Sequence, residues 1–162
     1  MDSEPIHVLF ICLGNICRSP LAASVFRRQV ARAGLSDRFR VDSAGVSDYH
    51  TGEPPDPRMQ ETAARHHVTL RGSARQVKES DLQRADYVIA MDEENRAGLR
   101  SLSAARGGAP VHLMRAFDPE TADEPDVPDP YYGGPDGFEH VYEMIERSCR
   151  ALLDHIREER GL

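Results

Sequence analysis

A chain of 162 residues, 40% hydrophobic and 29% charged, carries enough apolar material for one domain with a buried core, expected to span residues 1–162. Its formal charge of −7 argues against nucleic-acid binding through a broad basic face, and it lacks the run of roughly eighteen apolar residues that a membrane-spanning helix needs. Three cysteines make no disulfide framework, and the acidic start has no basic-then-apolar leader, so a reducing cytoplasm is the expected setting.

Along the chain, apolar and β-branched runs alternate with helical patterns. Ile6-His7-Val8-Leu9-Phe10-Ile11 predicts a strand over 7–12. Leu21, Ala22, Val25, Phe26 and Ala33 recur at three- and four-residue spacing and predict a helix over 20–33, with Ser19 as N-cap and Pro20 at the first helical position. Further strands are expected at 39–43, 87–91 and 111–114, and helices at 57–66, 79–84, 92–102 and 136–159. The last of these carries Phe138, Val141, Tyr142, Ile145, Cys149, Leu152, Leu153 and Ile156 on one stripe, which makes Cys149 a small buried hydrophobe. Two segments rich in proline and acid interrupt the alternation: a short one at 52–57, and a long one at 117–137 that contains Pro119, Pro125, Pro128, Pro130 and Pro135. An irregular loop of the second length inside a compact domain is usually functional or disordered. The alternation implies a parallel sheet with helices on both faces, in which ligands bind beyond the carboxyl ends of the strands. Cys12, Ser43, Met91 and the segment after Met114 fall at such ends.

The stretch Cys12-Leu13-Gly14-Asn15-Ile16-Cys17-Arg18-Ser19-Pro20 follows the first strand directly. A cysteine closing a strand is often only a small apolar residue, and a cysteine five residues from an arginine occurs by chance. Here a strand precedes the pair, Gly14 suits a tight turn, and a helix start follows. A loop of this kind can point the N–H groups of Leu13, Gly14, Asn15, Ile16, Cys17 and Ser19 at one anion, with the positive end of the helix dipole behind them. The field that binds a phosphate dianion also favours a thiolate at Cys12, the nucleophilic form. Arg18 offers a planar fork for two phosphoryl oxygens, a grip that lysine cannot make. Cys17 lies in the same curl, and a reversible Cys12–Cys17 disulfide would protect the nucleophile from over-oxidation.

Cleavage of a phosphate ester by a thiolate also needs an acid for the leaving oxygen, and that group can later activate water. The long loop offers Asp118, Asp123, Asp126, Asp129 and Asp136, and chemistry alone does not choose among them. Tyr131 and Tyr132 are adjacent aromatics in a proline-rich loop, a poor place for a core, and Tyr49 follows the second strand. All three can flank an aromatic leaving group. The seven histidines are scattered without ligand spacing and there is no Gly-x4-Gly-Lys loop, so neither a metal nor a nucleotide cofactor is expected.

Val8 through Pro20 resembles the signature loop of the low-molecular-weight protein tyrosine phosphatases. The resemblance continues through Val41-Asp42-Ser43-Ala44, Gly52-Glu53-Pro54-Pro55-Asp56, Ala74-Arg75-Gln76, Met91-Asp92-Glu93 and Asp129-Pro130-Tyr131-Tyr132-Gly133. It implies a three-layer α/β/α, flavodoxin-like fold on a four-stranded parallel sheet. It also implies hydrolysis of phosphotyrosine and small aryl phosphates through a phosphocysteine, with no cofactor, on phosphotyrosyl proteins, and a phosphate or sulfate ion bound in the loop. On the residues, it assigns Cys12 as nucleophile, Arg18 as phosphate grip and Asp129 as general acid. Asn15 is then the residue that fixes the loop and Ser43 the one that holds Asn15, while Ser19 supports the Cys12 sulfur. Tyr49, Tyr131 and Tyr132 form the substrate slot. Asp92 reads locally as a helix N-cap, and the resemblance places it near the loop.

Two other readings share parts of this constellation. A thioredoxin-coupled arsenate reductase would use the same loop but needs two further cysteines to relay a disulfide. Only Cys17 and the core-stripe Cys149 are present. A non-catalytic phosphoprotein-binding module would have no use for nucleophile, arginine and acid together.

Overall fold

Every residue of β1 (Ile6–Cys12) is buried in the computed structural model, which describes residues 4–103, 110–120, 125–130 and 135–162. That burial on both faces explains why the strand reads as a continuous apolar run rather than an alternation. β1 pairs in parallel with β2 (Phe39–Gly45) on one side and with β3 (Tyr87–Ala90) on the other, and β3 pairs with β4 (Val111–Leu113). The order β2-β1-β3-β4 makes a four-stranded, wholly parallel sheet with β1 at its centre.

Successive side chains of the strands feed two cores. Ile6, Val8, Phe10 and Cys12 join Tyr87, Ile89 and Met91 beneath α1 (Arg18–Arg32), α2 (Pro57–Arg65) and α5 (Pro135–Arg160). Leu9, Ile11, Val88 and Ala90 pack with Leu82 of α3 (Glu79–Arg84) and Leu99 of α4 (Glu93–Ser103) on the opposite face. The result is the three-layer α/β/α arrangement. Phe10, Phe26 and Phe39 stack edge to face with ring centroids 5.6 Å apart, which ties α1 to the two strands beneath it. Cys149 is fully buried on the apolar stripe of α5, as its spacing predicts.

Three boundaries differ from the sequence expectation in ways that matter for the site. β2 runs two residues past Ser43, because its register carries pairing on to Cys12 opposite Gly45. α1 starts at Arg18 with Cys17 as its cap residue, and no side chain caps it. Ser19 is therefore not an N-cap; its hydroxyl is engaged sideways, as described below. α5 begins at Pro135, so the proline-rich segment is shorter than 117–137. Its described parts are tied down. Asp118, with no side-chain exposure, accepts from Arg115 Nε (3.2 Å), Arg147 Nε (3.1 Å), Arg147 Nη2 (3.1 Å) and the Glu120 amide (2.8 Å). Val127 is buried, and its N–H donates to Met91 O at 2.8 Å. No described helix is long and apolar enough to cross a membrane.

Candidate active site

Parallel pairing brings the carboxyl ends of β1, β2 and β3 to one edge, and the loop after Cys12 curls there. Its path is fixed by β2 and the turn beyond it. Val46 N–H donates to Cys12 O (2.9 Å) and Ser47 N–H to Leu13 O (2.9 Å), while the Asp56 amide donates to Ile16 O (2.8 Å). Asn15 adopts the left-handed conformation at φ 58°, which an asparagine tolerates better than most residues. This corrects the role expected of Gly14, which has no positive φ. The glycine that the curl depends on is Gly45, where a Cβ would stand 2.8 Å from Leu13 O and 3.0 Å from Asn15 N.

The Asn15 side chain is saturated by its surroundings. Nδ2 donates to Ser19 Oγ (2.8 Å) and Ser43 Oγ (3.0 Å), and Oδ1 accepts from the Arg75 amide (3.0 Å). Ser19 Oγ in turn lies 3.0 Å from Cys12 Sγ, and the Asn15 N–H donates to the same sulfur at 3.2 Å. The hydroxyl that the sequence offers as a cap is thus used at the thiol, where a donor stabilises negative charge on sulfur.

Arg18 is 3% exposed. Its Nη1 donates to Asp92 Oδ2 (2.7 Å) and Val127 O (2.8 Å), and Nη2 lies 3.9 Å from Asp129 Oδ2. Burial works against its charge, but Cys12, Asp92 and Asp129 outweigh it and hold the guanidinium above its ordinary range. Asp92 does both things expected of it: Oδ1 accepts from the Asn95 amide at 2.7 Å to cap α4, and Oδ2 orients Arg18. Asp126 Oδ1 accepts from the Glu93 amide at 2.9 Å, so the segment carrying Asp129 is pinned to α4 on one side of Val127. Asp118 is taken up in its own buried cluster and Asp126 in this cap, which separates them from Asp129, the described loop carboxylate that lines the pocket.

Cys12, Leu13, Gly14, Ile16, Cys17, Arg18, Tyr49 and Asp129 line a single pocket of about 210 Å³. Ser47 and His50 line it too, and neither is distinguishable in the sequence. Both sit in the turn after β2, whose path depends on pairing with β1. A Cβ on Gly14 would come within 2.8 Å of His50 Cδ2, so the ring lies close over the loop. His50 Nδ1 is 3.2 Å from Glu53 Oε2. Tyr49 is 78% exposed and stands at the rim. Tyr131 and Tyr132 lie outside the described residues. Cys17 is buried, and its thiol is pushed well up by burial, by Asp56 and by Cys12. Such a pocket can hold a tetrahedral oxyanion against loop amides and Arg18, with a sulfur on one side and a carboxyl on the other.

A family model described as low molecular weight phosphotyrosine protein phosphatase matches residues 7–162. The low molecular weight protein-tyrosine-phosphatase YfkJ of Bacillus subtilis is 45% identical over 159 residues, covering 97% of this chain and 99% of YfkJ. The crystal structure of YfkJ superposes with a TM-score of 0.90, covering 98% of this chain and 99% of that one. A protein tyrosine phosphatase from Entamoeba histolytica, solved with Hepes in its active site, matches with a TM-score of 0.85 at 34% identity, covering 96% and 98% of the two chains. A Drosophila arginine phosphatase matches with a TM-score of 0.86 at 30% identity, covering 93% and 97%. The chain belongs to the low molecular weight phosphotyrosine protein phosphatase family.

Proposed function

We propose that Cys12, Arg18 and Asp129 carry out phosphotyrosine hydrolysis here in two displacements. The Cys12 thiolate attacks phosphorus and the tyrosyl oxygen leaves, taking a proton from the Asp129 carboxyl. Arg18 and the loop amides hold the three equatorial oxygens as charge redistributes. Water then attacks the phosphocysteine, giving its proton back to Asp129, and the Cys12 sulfur leaves as a thiolate supported by Ser19 Oγ and the Asn15 N–H. The observation that carries this reading is the convergence of a sulfur, a buried guanidinium and a carboxyl on one pocket. Turnover of an aryl phosphate by Cys12→Ser tests it: activity should vanish.

Beside Ser47, His50 and Asp129, the pocket is lined by Leu13, Ile16 and Tyr49, apolar and aromatic surfaces against which a phenol leaving group packs. Phosphotyrosyl proteins are therefore the substrates we assign, in a cytoplasm where three free thiols persist. Phosphotyrosyl peptides should be hydrolysed with a higher kcat/KM than phosphoarginyl peptides of the same sequence. A relay of disulfides to a third cysteine has no support, since Cys149 is fully buried and its thiol is pushed up by burial.

A further inference from the structure

A second concave region lies between α1 and the segment leaving α2. Ser24, Arg27, Arg28, His67, Thr69 and Arg71 line a cleft of about 370 Å³, and among the described residues lining it none is acidic. This is notable in a chain with 27 acidic residues against 20 lysines and arginines. Two of the cations are held in place. Arg27 Nη2 donates to Val41 O (2.7 Å); Arg28 Nη1 donates to His66 O (2.6 Å), and its Nη2 donates to the Tyr142 hydroxyl (3.1 Å) and lies 3.5 Å from Glu146 Oε2. Arg28 Nε is buried and meets no acceptor among the described residues. Arg71 is exposed and, among the described residues, has neither an ion pair nor a hydrogen bond. Burial lowers the Arg27 guanidinium from its ordinary range and Arg71 lowers it further, against the opposing pull of Asp42. His67 has φ 64°, an uncommon conformation for a residue with a side chain, in the turn that brings 67–71 back against α1.

We propose that this cleft is a second oxyanion site, for a phosphate group gripped by Arg27 and Arg71 with the Ser24 and Thr69 hydroxyls as further donors. An anion there would relieve the mutual repulsion of Arg27 and Arg71 and give the Arg71 guanidinium acceptors. The inference goes beyond the proposed reaction and its binding test does not depend on it. Arg27 follows Arg18 by nine residues on the same helix, about 14 Å along its axis. Arg71 precedes by four residues Arg75, whose amide holds Asn15. The phosphate can therefore be free inorganic phosphate or a second phosphoryl group on the substrate, about four to five extended residues from the phosphotyrosine.

Residue-resolved NMR of the full ¹⁵N-labelled chain, titrated with inorganic phosphate against sodium chloride of equal ionic strength, separates the two sites. The amides of Val68, Thr69 and Arg71 should shift saturably, and roughly tenfold more phosphate should be needed in Arg71→Ala, while the loop amides of Leu13 to Ser19 respond alike in both proteins. Amides at 68–71 that stay still, or that move identically in Arg71→Ala, would overturn the site. Steady-state kinetics then assign the source. If the phosphate is borne by substrate, Arg71→Ala raises KM for a phosphotyrosyl peptide carrying a second phosphoresidue and leaves the singly phosphorylated peptide unchanged. Equal KM values for both, with the NMR shifts present, assign the cleft to free phosphate.

Discussion

At the scale of single residues, Asn15 shows how much a non-reacting side chain can decide. Its amide satisfies Ser19, Ser43 and the Arg75 N–H, and its backbone adopts the left-handed turn of the loop. Asn15→Ala removes three hydrogen bonds, one buried and two part-buried, and strands donors and acceptors that cost up to about 1–3 kcal/mol each where water cannot replace the partner. The expected outcome is a fall in kcat of tenfold or more, measured on an aryl phosphate, with a protein that still folds by circular dichroism. Asp129→Ala should act differently: kcat should fall by about 10²–10⁴ for a leaving group as poor as tyrosine and far less for an activated phenol. A uniform loss across leaving groups would remove Asp129 from the proton transfer. Cys12 and Arg18 stand out in the sequence because they belong to one compact local pattern, whereas Asp129 is singled out only by the family resemblance, the loop offering five carboxylates that its residues alone do not rank. Ser47 and His50 do not stand out, because what brings them to the pocket is the pairing of β2 with β1. Ser19 is legible in part. Its place before Pro20 reads as a cap, which the helix start at Arg18 overturns, whereas the resemblance already sets its hydroxyl at the Cys12 sulfur, where Oγ accepts from Asn15 Nδ2 and lies 3.0 Å from Sγ.

At the scale of elements, the anion loop is shaped less by its own glycine than by a glycine on the neighbouring strand. Gly45 lies opposite Cys12, and a Cβ there would strike the Leu13 carbonyl and the Asn15 nitrogen, both backbone atoms that no rotamer change can move. Gly45→Ala should lower stability by about 1–3 kcal/mol in urea unfolding and cut kcat/KM by at least tenfold. Gly137→Ala is the contrasting case. It lies within α5 with nothing within 4 Å of a new Cβ, and should raise stability by about 0.5–1 kcal/mol without touching activity. The strands and α-helices themselves follow from hydrophobic periodicity, which is why the four strands and five α-helices among the described residues are expected from sequence near their observed places. The extra length of β2 is not, because it comes from register with a partner rather than from residues 44 and 45 themselves.

At the scale of the whole molecule, three buried carboxylates set the acid limit of the fold. Burial alone would raise Asp56, Asp81 and Asp118, but hydrogen bonds from Arg58, Arg75 and Arg147 outweigh it and hold each below the usual carboxylate range. A carboxyl lower in the folded than in the unfolded state contributes stability that is complete above the unfolded value, about pH 4, and is lost as pH falls through the folded value. The urea midpoint should therefore be insensitive to these groups from pH 7 down to about 5 and fall steeply below about 4. Asp118→Asn should lose stability at neutral pH and show a shallower acid limb, since it also breaks the clamp between the 3₁₀ turn Met114–Ala116 and α5. That clamp and the Val127 anchor together turn a proline-rich segment, unreadable from its composition, into the support for Asp129. The central claim, that Cys12 is phosphorylated during turnover, is tested most directly by acid-quenching Asp129→Ala while it hydrolyses a phosphotyrosyl peptide and mapping the phosphoryl group by mass spectrometry. The account predicts one phosphoryl group on the peptide containing Cys12, absent when Cys12→Ser is added. Steady product release by the Cys12→Ser protein, with no phosphorylated cysteine in the parent, would contradict it.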